Sequence, residues 1–313
     1  MLEYASIAMH CMKERPMIAL PHDRHTGLVI VSVTFLVAPA MDIFAKLLTA
    51  TQSPGQVVFG RFLVQTLLLV PLIAWAGQWT RPKSGHWIAG ACLAAALLCL
   101  NAALVVMPVA NALAIFFVEP LILTVLSALI LKETIGWRRI AAVAVGLAGA
   151  LLVIRPNWAA FGPLSVLPLG TALFFAFYVL INRVMTMGGQ RIALQFWTGV
   201  SSMMIIGVAC AAGEFFETDV LALATPGNYE IKLFIAMGVL AVIAHQMILL
   251  SLAMIPASLL APMQYLEIVS AVALGWWVFG DFPDLLTLMG ATIIIASGAY
   301  VFYRERRAEA TDV

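Results

Sequence analysis

The stretch FFVEPLILTVLSALILKE, residues 116–133, decides the fold. Continued upstream through residues 109–115, it is long enough at about 1.5 Å per residue to cross a hydrocarbon layer of about 30 Å. It carries one carboxylate, Glu119, among apolar neighbours. A second stretch, MQYLEIVSAVALGWWVFGD, residues 263–281, repeats the arrangement around Glu267. A charge at the middle of a spanning helix costs about 2.5–3.5 kcal/mol on insertion scales, so neither acid is expected to face lipid.

The rest of the chain agrees with a membrane setting. Of its 313 residues, 63% are apolar and 11% charged, against about 45–50% and about 25% in soluble domains. With a mean hydropathy of +1.02 and recurrent apolar runs, the expected fold class is an all-α integral membrane protein. The net charge of +1 is uninformative as a total and suggests no nucleic-acid partner. Cys11, Cys92, Cys99 and Cys210 show no C-x-x-C spacing and read as packing residues. Residues 1–25 mix six charges with no uninterrupted apolar core, so they read as a cytosolic tail and not as a signal peptide.

Ten spans can be drawn: 27–50, 57–76, 86–106, 109–131, 138–154, 164–185, 192–212, 232–254, 257–280 and 285–303. Breakers fall between them, at Ser53-Pro54-Gly55, Arg81-Pro82-Lys83, Arg155-Pro156-Asn157, Pro226-Gly227-Asn228 and Phe282-Pro283-Asp284. With the amino terminus inside, thirteen Lys and Arg residues lie on the inner side and four, Lys46, Arg61, Arg155 and Lys232, in the outer half. The positive-inside rule therefore puts both termini in the cytosol, in an inner membrane.

Aligning Glu119 with Glu267 sets an offset of 148 that also pairs Pro108 with Pro256 and Glu133 with Asp281. Five spans per half would place the halves in opposite orientations. The expected organisation is a tail at 1–25, a first repeat at 26–156, an inverted second repeat at 157–303 and a cytosolic tail at 304–313.

At these landmarks the chain resembles the EamA family of the drug/metabolite transporter superfamily. The first half shows Glu119-Pro120, Leu131-Lys132-Glu133, Gly136-Trp137-Arg138-Arg139, Gly146, Gly149 and Ile154-Arg155-Pro156. The second shows Pro262, Tyr265, Glu267, Gly275-Trp276, Phe279-Gly280-Asp281, Gly290 and Ser297-Gly298. Asp281 departs from the more usual Glu, and Ile268 stands where Glu119 is followed by Pro120. The resemblance implies a ten-helix transporter with a central cavity between the halves and with the fifth and tenth helices peripheral. Its branch is similar to transporters of S-adenosylmethionine-like solutes and opine-type metallophores.

Several residues are candidates for binding or coupling. Glu119 and Glu267 read as binding groups for a cationic or amine-bearing solute or as proton carriers, against the alternative of protonated carboxyls bonded to a neighbouring helix. Asp42 and Lys46, four apart on one helix face, can pair directly. Arg61 either snorkels outward or completes an outer anion site. His245 and Gln246 interrupt the eighth span, and Gln264 and Tyr265 precede Glu267 on the ninth. Asn101, Gln65 and Tyr178 are further polar candidates. Glu133, Arg138 and Arg139 belong to a cytosolic turn or gate. Trp87, Trp137, Trp276 and Trp277 near span ends read as an interfacial belt. Gly146, Gly149, Gly290 and Gly298 read as close-packing positions that would also permit a homodimer through the fifth and tenth spans.

No P-loop, zinc-peptidase motif or phosphate-cradling loop is present, and the segments around Asp281 and Ser297 each miss an intramembrane protease motif at the first glycine. Neither a catalytic residue nor a cofactor or metal is expected. The function read from the sequence is secondary transport of a small polar organic metabolite, amino-acid-like or amine-bearing, by alternating access, with proton linkage open to it. The alternatives are a facilitative exchanger or channel-like permease and, further off, an intramembrane enzyme.

Overall fold

A computed structural model describes residues 24–131, 137–185, 191–254, 264 and 266–309. All secondary structure among them is helical: α1 (Arg24–Val37), α2 (Pro39–Leu48), α3 (Pro54–Ala76), α4 (Ser84–Leu104), α5 (Val109–Phe116), α6 (Glu119–Leu131), α7 (Trp137–Phe161), a 3-10 turn (Gly162–Val166), α8 (Leu167–Met185), α9 (Arg191–Phe215), α10 (Asn228–Met254), α11 (Leu266–Phe279) and α12 (Leu285–Glu309). Six stretches are long and apolar enough to cross a membrane, beginning at His25, Pro54, Ser84, Trp158, Ile192 and Asn228. Four shorter apolar helices, Val109–Leu123, Ala144–Ile154, Leu266–Phe279 and Leu285–Ser297, fall where the remaining expected spans lie.

Two expected spans are not continuous. The first divides at Ala38 into α1 and α2, because Pro39 has no N–H to donate to Phe35 four residues back. The fourth divides at Phe117-Val118, where Val118 N–H donates to Ile115 O at 3.2 Å in a tightened 3-10 pattern before Pro120 enters the first turn of α6. Both breaks sit deep in the bundle. Backbone irregularity at that depth survives only where protein or enclosed water, and not lipid, surrounds it.

Lipid tails are as apolar as leucine, so the helices associate through close packing more than through hydrophobic burial. The close approaches are where glycines fall. A Cβ at Gly290 would stand 2.7 Å from Gly149 O, and one at Gly149 would stand 3.1 Å from Gly290 O, so α7 and α12 meet backbone to backbone. Gly90 allows the same between α4 and α9, where Ser202 Oγ donates to Gly90 O at 2.9 Å and Ser201 Oγ to His86 O at 2.8 Å. Of the glycines expected to pack helices, Gly146, Gly149 and Gly290 meet neighbouring helices within this one chain, and the surroundings of Gly298 lie outside what is described.

Helix α5 is the hub: every residue from Val109 to Phe116 is buried, against α2, α4, α7, α8, α11 and α12. Around it the pairings come in matched sets. Helix α4 packs on α8 as α10 packs on α1, α9 on α4 as α10 on α3, and α6 on α8 as α11 on α1 and α2, while α3–α9, α5–α11 and α7–α12 each pair a helix with its own counterpart. Apolar side chains such as Leu67, Leu151, Val208 and Val269 cover the outside. Trp276 and Trp277 are exposed near the end of α11 and Trp87 near the start of α4, as an interfacial belt requires.

Candidate functional site

The helix breaks place the acids. Asp42 stands in the first turn of α2, Glu119 in the first turn of α6 and Glu267 in the first turn of α11. Chain segments far apart in sequence thus bring three carboxyls towards one region of the bundle, each at a helix start, where negative charge is favoured by the backbone dipoles.

A guanidinium faces one of them. Arg61 on α3 interacts electrostatically with Asp42, with Tyr178 on α8 and with His245 on α10. Glu267 in turn lies within electrostatic reach of both Asp42 and Glu119. Tyr178 also shares a hydrogen bond with Asn182 one turn on. Asp42, Arg61, Tyr178, His245 and Glu267 are surrounded by protein, yet each side chain is only half-buried. Glu119 is the exception at 4% exposure, and its Oε1 has no hydrogen-bond partner among the described residues. Buried, unpartnered polar oxygens also occur on Asn101, Gln65, Thr66 and Thr198, a polar lining that an aqueous solute could satisfy.

An aromatic run adjoins the acids. Phe116, one turn before Glu119, meets Phe175 edge-on with centroids 5.5 Å apart, and Phe175 meets Tyr178 at 5.4 Å. The sequence marked Tyr178 only among weaker candidates. Its role beside Arg61 depends on α3 and α8 lying together, which no local pattern reveals.

Lys46 is where the structure departs most from the sequence reading. The expected pair with Asp42 is absent. Lys46 Nζ donates instead to Asp281 Oδ2 at 3.0 Å and to Met107 O at 3.2 Å, and it sits 4.7 Å from the ring centroid of Phe279. Helical spacing brings residues 42 and 46 onto one face, but the side chain follows the acid that the end of α11 offers, leaving Asp42 to Arg61. Arg61 accordingly does not snorkel outward.

The other candidates are distributed around this centre. His245 Nδ1 is 2.8 Å from Ala241 O, the hydrogen-bonded arrangement of a packing histidine, although Arg61 still reaches its ring electrostatically. Gln246 Nε2 donates to Gln195 Oε1 at 3.0 Å, joining α10 to α9. Gln264 is half-buried, three residues before Glu267. Tyr265 and Glu133 lie outside the described residues, as do the side chains of Arg138 and Arg139 at the start of α7. No group of three or more potential metal ligands occurs among the described residues. Two apolar grooves lie apart from the acids, about 420 Å³ between α3 and α10 and about 480 Å³ between α7 and α12.

Known proteins share this architecture. The profile of the EamA-like transporter family matches residues 25–155. The S-adenosylmethionine uptake transporter of Rickettsia conorii is 26% identical over 90% of this chain and 94% of its own length. The pseudopaline exporter of Pseudomonas aeruginosa is 24% identical over 86% of this chain and 92% of its own. A solved crystal structure superposes with a TM-score of 0.61 at 18% identity, covering 92% of this chain and 100% of the other, which establishes likeness of fold. Apolar helices long enough to span and these matches lead to one statement: the chain is a helical membrane protein whose residues 25–155 are similar to the EamA-like transporter family.

Proposed function

We propose that the protein is a secondary transporter that carries a small, polar, net-positive organic metabolite through the hollow between α1–α2, α3, α6, α8, α10 and α11 by alternating access. One observation carries this reading: three carboxyls, Asp42, Glu119 and Glu267, converge where, among the described residues, Arg61 is the cation in electrostatic reach of Asp42. The excess of acid calls for a cation from outside, which an amine- or sulfonium-bearing solute supplies. Arg61 then serves a carboxylate on the same solute, and the run Phe116–Phe175–Tyr178 offers a face to a planar ring. S-adenosylmethionine has all of these groups, and the Rickettsia relative is named for taking it up. It is therefore the first cargo to test.

The chain is organised as a first repeat over 26–156 and an inverted second repeat over 157–303, between cytosolic tails at 1–25 and 304–313, in an inner membrane. The matched helix pairings support the repeat, since exchanging each helix with its counterpart five spans on turns α4–α8 into α10–α1 and α9–α4 into α10–α3. On this topology Lys46, Met107 and Asp281 lie at the outer end. Two copies would associate through α7 and α12. Proton linkage would use Glu267 and Glu119. The two relatives are named for opposite directions, uptake and export, so the gradient across the membrane sets the direction here.

The test is uptake of labelled S-adenosylmethionine, with riboflavin and single amino acids as comparison solutes, into proteoliposomes with and without a pH gradient. Saturable uptake that falls at least tenfold in Glu267→Gln supports the reading. Acceleration by cargo preloaded inside would identify an exchanger, and unsaturable flux a channel. Uptake by Glu267→Gln equal to wild type under both conditions would refute the role of the acids.

A further inference from the structure

Three segments that meet at one end of the bundle are bridged by one ammonium group. Lys46, near the end of α2, holds Asp281 after α11, the carbonyl of Met107 in the turn between α4 and α5, and the ring of Phe279. These segments close one end of the bundle over the acids, and Lys46 lies one helical turn past Asp42 on the same face of α2. The tie is not buried: the side chains of Lys46 and Asp281 are 18% and 33% exposed. An ion pair with that much solvent contact is weak and readily exchanged. A second acid waits at hand, because residues four apart on a helix lie within side-chain reach.

We propose that Lys46 is the latch of the outer end: it closes the hollow by pairing with Asp281 and opens it by moving to Asp42. The latch rests on the transport reading above, and it supplies the step by which cargo controls access. The charged and titratable groups facing Asp42 are Arg61 from α3 and Glu267 from α11, with Glu119 beyond Glu267 and His245 and Tyr178 around Arg61. With Arg61 the cation that acts on Asp42 among the described residues, Asp42 and Glu267 leave room for a second, and Lys46, four residues on along α2, is within side-chain reach of Asp42. When a cationic solute takes that place, the ammonium of Lys46 is displaced and returns to Asp281, so occupancy shuts the end through which the solute entered. Pro39 gives α2 the freedom for this motion, since it separates α2 from α1 and removes the hydrogen bond that would lock them into one rod. The exchange involves no bond making and no proton transfer.

The test needs no knowledge of the cargo. Cys11, Cys92, Cys99 and Cys210 are replaced by serine, Tyr178→Cys is introduced as a reporter on the hollow, and labelling by a membrane-impermeant maleimide is timed in right-side-out and inside-out vesicles. Asp281→Asn removes the closed-state partner and is expected to raise the right-side-out labelling rate several-fold. Asp42→Asn removes the open-state partner and is expected to lower it several-fold. Lys46→Gln, which leaves no latch, follows Asp281→Asn. Opposite shifts confined to right-side-out vesicles support the latch, because a loosened fold would move all three variants one way in both preparations. Shifts of the same sign, or none, overturn it. Opposite shifts confined to inside-out vesicles would keep the latch and reverse the proposed topology. A latch that responds in a protein that moves none of the solutes tested would leave the device standing and refute the cargo.

Discussion

Ser270 on α11 donates to the carbonyl of Phe35 on α1 at 3.4 Å. Phe35 is the residue whose helical donor Pro39 deletes, so a hydroxyl from the second half of the chain fills a gap that a proline opens in the first. The same hydroxyl lies 3.2 Å from Glu267 O, which fixes it one turn past the acid. Hinge and acid are thereby coupled. Ser270→Ala is expected to lower stability in detergent by about 0.6 kcal/mol, typical of a hydrogen bond between membrane helices. Pro39→Ala, which restores the missing donor, is expected to raise or preserve the melting temperature while lowering uptake. Thermal denaturation followed by uptake on the same preparations checks both, and a Pro39→Ala protein with wild-type uptake would remove the hinge from the account.

Asp42 and Arg61 are expected to behave as a pair. Removing either one takes away the opposing charge that the other faces. Asp42→Asn combined with Arg61→Gln should therefore cost less than the sum of the two single changes, by about 0.5–3 kcal/mol. A double-mutant cycle on chemical denaturation measures this, and strict additivity would mean that the two groups do not meet.

Much of this architecture can be read from the sequence, and the failures have a common origin. The apolar runs, most of the breakers between them and the two lone glutamates are local signals that the helices follow, but the expected break at Arg155-Pro156-Asn157 is absent, because α7 continues through it from Trp137 to Phe161. The split at Ala38 was also encoded, in Pro39, but the run of apolar residues around it looks like one continuous span. The partner of Lys46 was not legible. Helical spacing offers Asp42 four residues away, whereas the acid it binds is 235 residues distant. The neighbours of Arg61 were not legible for the same reason: its depth on α3 is readable, but the approach of Asp42, Tyr178 and His245 from other helices depends on tertiary packing.

Gly290→Ala separates two further roles of the chain, packing and transport. Its methyl group would stand 2.7 Å from Gly149 O, so α7 and α12 must part. Overpacking of this kind costs about 1–3 kcal/mol. Because these helices lie away from the acids, uptake per folded molecule should stay within about twofold of wild type, less than about 0.4 kcal/mol in transition-state terms. The readouts are the melting temperature and uptake normalised to the monodisperse fraction.

Glu119→Gln keeps the shape of a side chain whose Oε1 has no partner among the described residues. Stability is expected to change by less than about 1 kcal/mol, since no made hydrogen bond is lost. Binding of a cationic cargo should weaken about tenfold, equivalent to about 1.4 kcal/mol. Equilibrium binding of labelled S-adenosylmethionine to purified protein distinguishes this from a purely structural role, in which stability would fall and affinity per folded molecule would not.

The central claim is that the acids border water inside the bundle. Glu267→Cys and, as a lipid-facing control, Val269→Cys, which is 62% exposed on the outer surface, are compared for reaction with a hydrophilic maleimide in native membranes with the four natural cysteines removed. A thiol reacts as its thiolate, which water permits and lipid suppresses. The account predicts that Glu267→Cys labels readily, and more slowly when S-adenosylmethionine is present, while Val269→Cys stays unreacted. A Glu267→Cys protein as silent as the control until it is denatured would contradict it.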